Sequence, residues 1–230
     1  MTLLPRVLEP EVMDTAQEAA DYDAMDNRGP NEAFVTDCLQ FATFDHALDV
    51  GTGTALIPIA MCKSAPNLAM IGVDLAEHML ELAKKNVERA GLASRVTLQK
   101  IDAKALPFGD GEIEAVVSNS IVHHIPAPTH ALGEMVRVAK RVVFVRDLLR
   151  PETDAEVERL VALHGGEPAS REPAAIEMHA RQVALLDASL RAALTLDEAR
   201  AMVAPFGVPA SSVTQTSDRH WTLAHVKLKR

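Results

Sequence analysis

The stretch Ala47-Leu48-Asp49-Val50-Gly51-Thr52-Gly53-Thr54-Ala55-Leu56-Ile57-Pro58 leaves few folds open to this chain. An apolar run ends in an acid, two glycines follow at alternate positions, and an apolar helical pattern then begins. A strand, a tight nucleotide-binding turn and the helix behind it are written this way. Gly51 and Gly53 let the backbone fold sharply and approach a ligand without a Cβ in the way. The helix start adds free N–H donors and the positive end of a dipole, which suit a pyrophosphate or the carboxylate of an amino-acid ligand.

Strands and helices alternate from this turn onward. The first strand covers 47–50 and its helix about 54–63, with Pro58 in or just past the first turn. A second strand at 68–73 ends in Asp74. Next comes a helix over 77–90, with Leu80, Leu82, Ala83 and Val87 inward and Gly91 after its end. Strands at 95–101, 113–118 and 141–145 follow, the first reaching Asp102 and the last closing with Arg146-Asp147, and a helix spans 128–139. This alternation predicts right-handed crossovers and a parallel sheet. The 230 residues suit one domain with its own core.

The flanks differ. A short helix is expected over 11–20, Arg28-Gly29-Pro30 reads as a turn, and Asn31 as the N-cap of a helix to Gln40. After Pro151, helices are expected over 152–164 and 174–193, separated by Gly165-Gly166-Glu167-Pro168. Thr195 with Glu198 makes a capping box for a last helix, and 212–216 and 220–226 are strand-like.

Composition narrows the partners. The net charge is −9, with one Trp and one Tyr, so neither a phosphate-binding surface nor a base-stacking surface is expected and no nucleic-acid partner is assigned. Lys227-Leu228-Lys229-Arg230 reads as a solvated tail. No apolar run approaches the ~20 residues of a membrane span, and Pro5, Arg6, Glu9 and Pro10 interrupt the opening stretch, so no signal peptide and no membrane partner are expected. Cys38 and Cys62 are far apart without metal-like spacing, and buried thiols in a reducing, cytoplasmic compartment are expected.

The acids at the strand ends select the ligand. Asp49 is awkward beside a pyrophosphate and suits a cationic amine. Leu56 stands where a dinucleotide-binding turn needs its third glycine, which disfavours a nicotinamide cofactor and an oxidoreductase. Asp74, 23 residues after Gly51, is placed to accept hydrogen bonds from a ribose diol. Asp102, followed by Ala103, can reach an adenine amino group.

With these residues the chain resembles the class I S-adenosylmethionine-dependent methyltransferases, small-molecule branch. Asp49-Val-Gly51-Thr52-Gly53-Thr matches the first motif, with Ala55 where a third glycine is common. Asp74-Leu75 matches the ribose-binding acid, Asp102-Ala103-Lys-Ala-Leu-Pro107-Phe108 the adenine-side segment, and Ser118-Asn119-Ser120-Ile-Val-His123-His124-Ile the fourth-strand motif. The match covers roughly 45–150. The resemblance implies a Rossmann-like, seven-stranded, mainly parallel sheet closed by an antiparallel C-terminal hairpin. It implies a cofactor-binding core at 45–150, a lid or cover at 1–40, a helical insertion near substrate at 151–195, and a last helix and closing hairpin at 196–230.

The resemblance also implies S-adenosylmethionine as cofactor and S-adenosylhomocysteine as product. Gly51, Thr52 and Gly53 would pass the methionine part, with Asp49 near its ammonium. Asp74 would hold the ribose, Leu75 and Met79 pack near the adenine, and Asp102 and Ala103 bind its edge. Asn119 of the fourth-strand motif, and Tyr22 and Met25 of the lid, complete the expected cofactor contacts. The reaction implied is in-line displacement at the methyl carbon toward a small-molecule acceptor, with alignment as the main catalytic effect. His123 or His124 would orient or deprotonate the acceptor. Because adjacent side chains diverge, only one is expected to face the site, and no shared metal is expected. Asp147 either binds a substrate amine or pairs with Arg146 or Arg150. His179 and Arg181 read as solvated-face residues, and Trp221 as packing at the sheet edge, with a substrate wall as the alternative. Non-catalytic binding of the same cofactor, other adenosyl chemistry on the same fold, and an NAD-dependent oxidoreductase are the rival functions.

Overall fold

The computed structural model describes residues 4–12, 14–25 and 28–227. Strands β1 (His46–Val50), β2 (Ala69–Asp74), β3 (Val96–Lys100), β4 (Ile113–Asn119) and β5 (Ala139–Leu148) are parallel to one another. Strands β6 (Val213–Gln215) and β7 (His220–Val226) form a hairpin, and β7 runs antiparallel to β5. The order across the seven-stranded sheet is β3-β2-β1-β4-β5-β7-β6. The chain steps one way from β1 to β3 and then restarts on the other side with β4. A crevice therefore opens at the carboxyl ends of β1 and β4, where such sheets bind ligands.

Both faces of the sheet are covered. The helices are α1 (Ala16–Asp23), α2 (Arg28–Phe41), α3 (Leu56–Ser64), α4 (Glu77–Arg89), α5 (Pro128–Val138), α6 (Asp154–His164), α7 (Pro173–Ala192) and α8 (Leu196–Val203). Side chains alternate along each strand, so Leu48, Val50, Val116, Val143 and Val145 meet Leu132, Met135 and Val203 of α5 and α8. Ala47, Ala115, Val117, Val142 and Phe144 meet Phe34 and Cys38 of α2, Met61 of α3, and Ala83 and Val87 of α4. Burial on both faces explains why these strands read as continuous apolar runs. Trp221 is fully buried on β7, inside the sheet rather than at its edge.

Local chemistry sets the element ends. Thr15 and Glu18 form a capping box that starts α1 at Ala16, later than the sequence pattern alone places it. Arg28-Gly29-Pro30 is not a turn but the first turn of α2, where proline's missing N–H has no helical partner to lose, and Asn31 lies inside the helix. The Thr195–Glu198 capping box forms as expected. Lys227 is not solvated: its ammonium donates to Val136 O and Ala139 O at 2.9 and 2.6 Å, at the end of α5. The rest of the basic tail, 228–230, lies outside the described residues. Among the described residues, no helix is long and apolar enough to cross a membrane.

Candidate active site

The turn after β1 is held from below by β2. Gly51 N and Thr52 N both donate to Val73 O, at 2.8 and 2.9 Å. Gly53 N donates to Asp74 Oδ2 at 2.8 Å, and Ala76 N to Asp74 Oδ1 at 2.9 Å. Gly51 and Gly53 are left-handed, with φ of 74° and 52°. A Cβ on Gly51 would also stand 2.2 Å from Ile121 Cδ1, so Ile121 closes over the turn only because residue 51 has no side chain. Ala55 is left-handed too, at φ 63°, directly before α3.

A cleft opens above this turn. Its walls include Tyr22, Gly51, Gly53, Asp74, Leu75, Met79, Asp102, Ala103, Asn119 and His124 among the residues singled out from sequence. Thr52 and Asp49 lie beneath it, both buried. Met25 faces a separate surface groove with Arg28 and Leu56. His123 and Asp147 do not line the cleft and are buried behind it.

The donors fit an adenosyl amino acid. Among the described residues, Asp49 Oδ2 and Thr52 Oγ1 are buried with only each other as polar neighbours, which leaves a carboxyl beneath the turn for a cationic amine. Burial pushes the Asp49 carboxyl up to about 7. The nearby Thr52 hydroxyl offsets part of this, and the charge of Asp74 adds to it. Asp74 carries one backbone N–H on each oxygen and keeps lone pairs on both for a diol. Burial also raises its carboxyl, against the hydrogen bonds from Ala76, Gly53 and Leu75. Tyr22 reaches the turn from α1, its Cε1 being 3.6 Å from where a Cβ on Gly53 would lie. Its phenol is pushed up to about 12 by burial, then by the charges of Asp74 and Asp49.

The N-terminal segment roofs the cleft through polar ties. Glu11 pairs with Lys104, which also pairs with Asp102 at 3.1 Å. Burial works to raise the Asp102 carboxyl, but hydrogen bonds from the Lys104 N–H and ammonium outweigh it and hold the pKa low. Asp14 Oδ1 accepts from His78 N at 3.0 Å, and Asp23 Oδ1 from Asn86 Nδ2 at 2.9 Å. Arg181 of α7 binds Asp21 of α1 at 2.7 Å, so it joins cover to cover rather than standing free. His179 Nε2 lies 3.0 Å from Gly165 O.

The two histidines occupy a 3-10 turn, Val122–His124, after β4. His123 Nδ1 lies 2.6 Å from Asp147 Oδ1, with the two side chains only 3% and 1% exposed. Asp147 also accepts from Val122 N at 2.5 Å and Leu148 N at 2.6 Å. Its partner is thus His123, not Arg146, which binds Asp37, nor Arg150, which binds Glu198. Burial disfavours the charged His123 ring, yet the charge and hydrogen bond of Asp147 outweigh it and raise its pKa. His124 faces the cleft, and burial followed by the charge of His123 drives its pKa down to about 3. The rings do not diverge in space: their centroids are 4.1 Å apart and tilted by 39°.

Ser120, Ile121, Ile125, Glu11, Val12 and Lys104 also line the cleft. Ser120, at φ 59°, is left-handed. Apart from motif position, no sequence signal marks these residues, since the N-terminal stretch has no core period.

Residues 47–141 match the family described as "Methyltransferase domain". Over 108 residues the chain is 29% identical to "Ubiquinone/menaquinone biosynthesis C-methyltransferase UbiE" of Geotalea uraniireducens, covering 46% of each. Over 149 residues it is 31% identical to "Demethylmenaquinone methyltransferase" of Lactobacillus johnsonii, covering 61% of each. The chain thus spans about half the length of the curated relatives it matches. A solved SAM dependent methyltransferase from Aquifex aeolicus shares the fold, with a TM-score of 0.65 at 16% identity, covering 92% of this chain and 98% of that one. Residues 47–141 thus match a methyltransferase domain, and the sheet order and the donor set around the Gly51–Gly53 turn are similar to those of the class I S-adenosylmethionine-dependent methyltransferases.

Proposed function

We propose that the protein transfers a methyl group from S-adenosylmethionine to a small-molecule acceptor in the cytoplasm. When bound, the cofactor supplies an electrophilic methyl: the acceptor's lone pair forms the new bond, the carbon–sulfur pair returns to sulfur, and the acceptor's proton leaves to solvent. The chain's residues hold and align. Asp49 and the turn take the amino-acid end, Asp74 the ribose, and Leu75, Met79, Asp102 and Ala103 the adenine.

One observation carries the catalytic half of this reading: His124 stands in the cleft wall beside Ile121 and Ile125 at the end of β4. Its neutral imidazole offers a lone pair to an acceptor hydroxyl or amine, and His123 and Asp147 fix its position from behind. The narrow, roofed cleft and the charge of −9 favour a small metabolite over a polyanion. The relatives' names point to quinones for those proteins.

The test is a metabolite extract incubated with methyl-labelled S-adenosylmethionine. Label moving into an extractable small molecule is expected, with His124→Ala cutting turnover by about 10²-fold or more. Cofactor binding without transfer to any acceptor fraction would instead identify a non-catalytic binder.

A further inference from the structure

Beside the cleft, Glu9 enters from the N-terminal segment and meets the two histidines. One donor atom from each of Glu9, His123 and His124 lies within 4.8 Å of the other two. Glu9 Oε2 and His124 Nδ1 are 3.5 Å apart. Donors sharing a zinc ion with bonds of about 2.1 Å stand about 3.4 Å apart in a tetrahedral site, so this pair is already at ligand spacing.

Two further observations point to a cation. Among the described residues, no hydrogen-bond partner reaches Glu9 Oε1 or His124 Nδ1, both buried, with the Ser189 side chain the other polar neighbour of the Glu9 carboxylate, and the Glu9 side chain is only 7% exposed. Unpartnered acceptors in a dry site are costly, and a metal ion removes that cost. His123 is held as a metal-binding histidine usually is. An ionised carboxylate can only accept, so His123 Nδ1 donates to Asp147, and in the neutral ring that a metal selects the other nitrogen carries the lone pair.

The charges agree. Glu9 and Asp147 bring two carboxylates, and among the described residues Arg6 is the cation that acts on His123. Arg6 directs its donors elsewhere: Nε to Ala192 O at 2.6 Å, and Nη2 to His123 O and Ile125 O at 3.1 Å each. These bonds anchor the segment that carries Glu9 and leave Glu9 itself free of a guanidinium partner.

We propose that Glu9, His123 and His124 form a binding site for one divalent transition-metal ion at the acceptor end of the cleft. Two imidazoles and one carboxylate suit zinc with a fourth position open, and Asp147 orients His123 from behind. In the methyl-transfer reading, on which only this use of the site rests, the His124 lone pair goes to the metal instead of to the acceptor, and the open position takes the acceptor's oxygen, nitrogen or sulfur and lowers its proton affinity.

The experiment is a titration of chelator-stripped protein with zinc(II), read by calorimetry, and with cobalt(II), read by its visible spectrum. One saturable equivalent is expected, with low-coordinate cobalt bands. Glu9→Gln and His124→Ala should each weaken the affinity at least tenfold. Asp147→Asn should weaken it by about 10–100-fold, the usual effect of removing a ligand-orienting carboxylate. S-adenosylhomocysteine is titrated into the same wild-type preparation. A wild type that takes S-adenosylhomocysteine but no equivalent of metal overturns the metal site and leaves the methyl-donor reading standing. Metal affinity unchanged in both Glu9→Gln and His124→Ala overturns the site as well.

Discussion

Gly53 N donates to Asp74 Oδ2 over 2.8 Å, which ties the turn after β1 to the last residue of β2. The same carboxylate accepts from Ala76 N at the start of α4. The acid assigned to the ribose is therefore also the brace of the glycine turn. Loss of Asp74 removes two prospective hydrogen bonds to a diol, each worth about 1.5–3 kcal/mol when one partner is charged. Asp74→Ala is expected to weaken S-adenosylhomocysteine binding by roughly 100-fold or more, and to lower stability by about 1–2 kcal/mol through the two unpaired backbone donors. Calorimetry and urea unfolding separate the two effects. Unchanged affinity would remove the ribose assignment.

Asp49 makes cofactor binding depend on pH. Burial raises its pKa from 3.8 to about 7, so in the free protein the carboxyl is largely protonated below that value. In the unfolded chain it ionises near 3.8. Over that window the folded state therefore binds more protons than the unfolded state, and this group's contribution to stability falls as pH rises. Asp74, Thr52, Tyr22 and Cys38 are the other groups coupled to it. A cationic amine above Asp49 favours the ionised form. S-adenosylhomocysteine binding at pH 6 is then expected to release a proton and to tighten as pH rises toward 7. Calorimetry in buffers of different ionisation enthalpy measures this, and no proton release at pH 6 would place the ammonium elsewhere.

Ala55 holds a conformation that favours glycine. Its φ of 63° costs a residue with a Cβ about 1–2 kcal/mol, while glycine adds about 0.5–1 kcal/mol of unfolded-chain entropy. Its methyl is also fully buried, worth about 0.8 kcal/mol, so Ala55→Gly is expected to leave the stability read by urea unfolding within about 0.5 kcal/mol of wild type. A loss of more than about 1.3 kcal/mol, the methyl and entropy costs with nothing to offset them, would show that the left-handed cap is not strained.

Asp147 is completely enclosed, with His123 Nδ1, Val122 N and Leu148 N on its oxygens. Removing one partner of a buried pair leaves the other uncompensated, at about 3–5 kcal/mol. Asp147→Asn is expected to lower stability by that order in urea unfolding. A loss below about 1 kcal/mol would mean that the pair is not a structural anchor.

The glycine turn, the three strand-end acids and the alternation of strands and helices were legible because each is a local pattern with one physical meaning. Asp49, Asp74 and Asp102 close consecutive strands, so sheet topology alone gathers them. The roof was not legible. Glu9, Glu11 and Val12 lie in a stretch with no period, and their ties to Lys104 and the histidines span more than 90 residues of chain. Nor does spacing reveal that Asp147 would choose His123 over its neighbours Arg146 and Arg150. That choice depends on the 3-10 turn that brings His123 back against β5. Arg28-Gly29-Pro30 misled because the same residues serve a turn or a helix start.

Calorimetric titration of S-adenosylhomocysteine into wild type and Asp74→Ala in parallel tests the donor-site assignment most directly. Wild type is expected to saturate at one equivalent, and Asp74→Ala to bind roughly 100-fold more weakly or not at all. Absence of saturable binding to the folded wild type would contradict the assignment of the Gly51–Gly53 turn as an adenosyl amino-acid site.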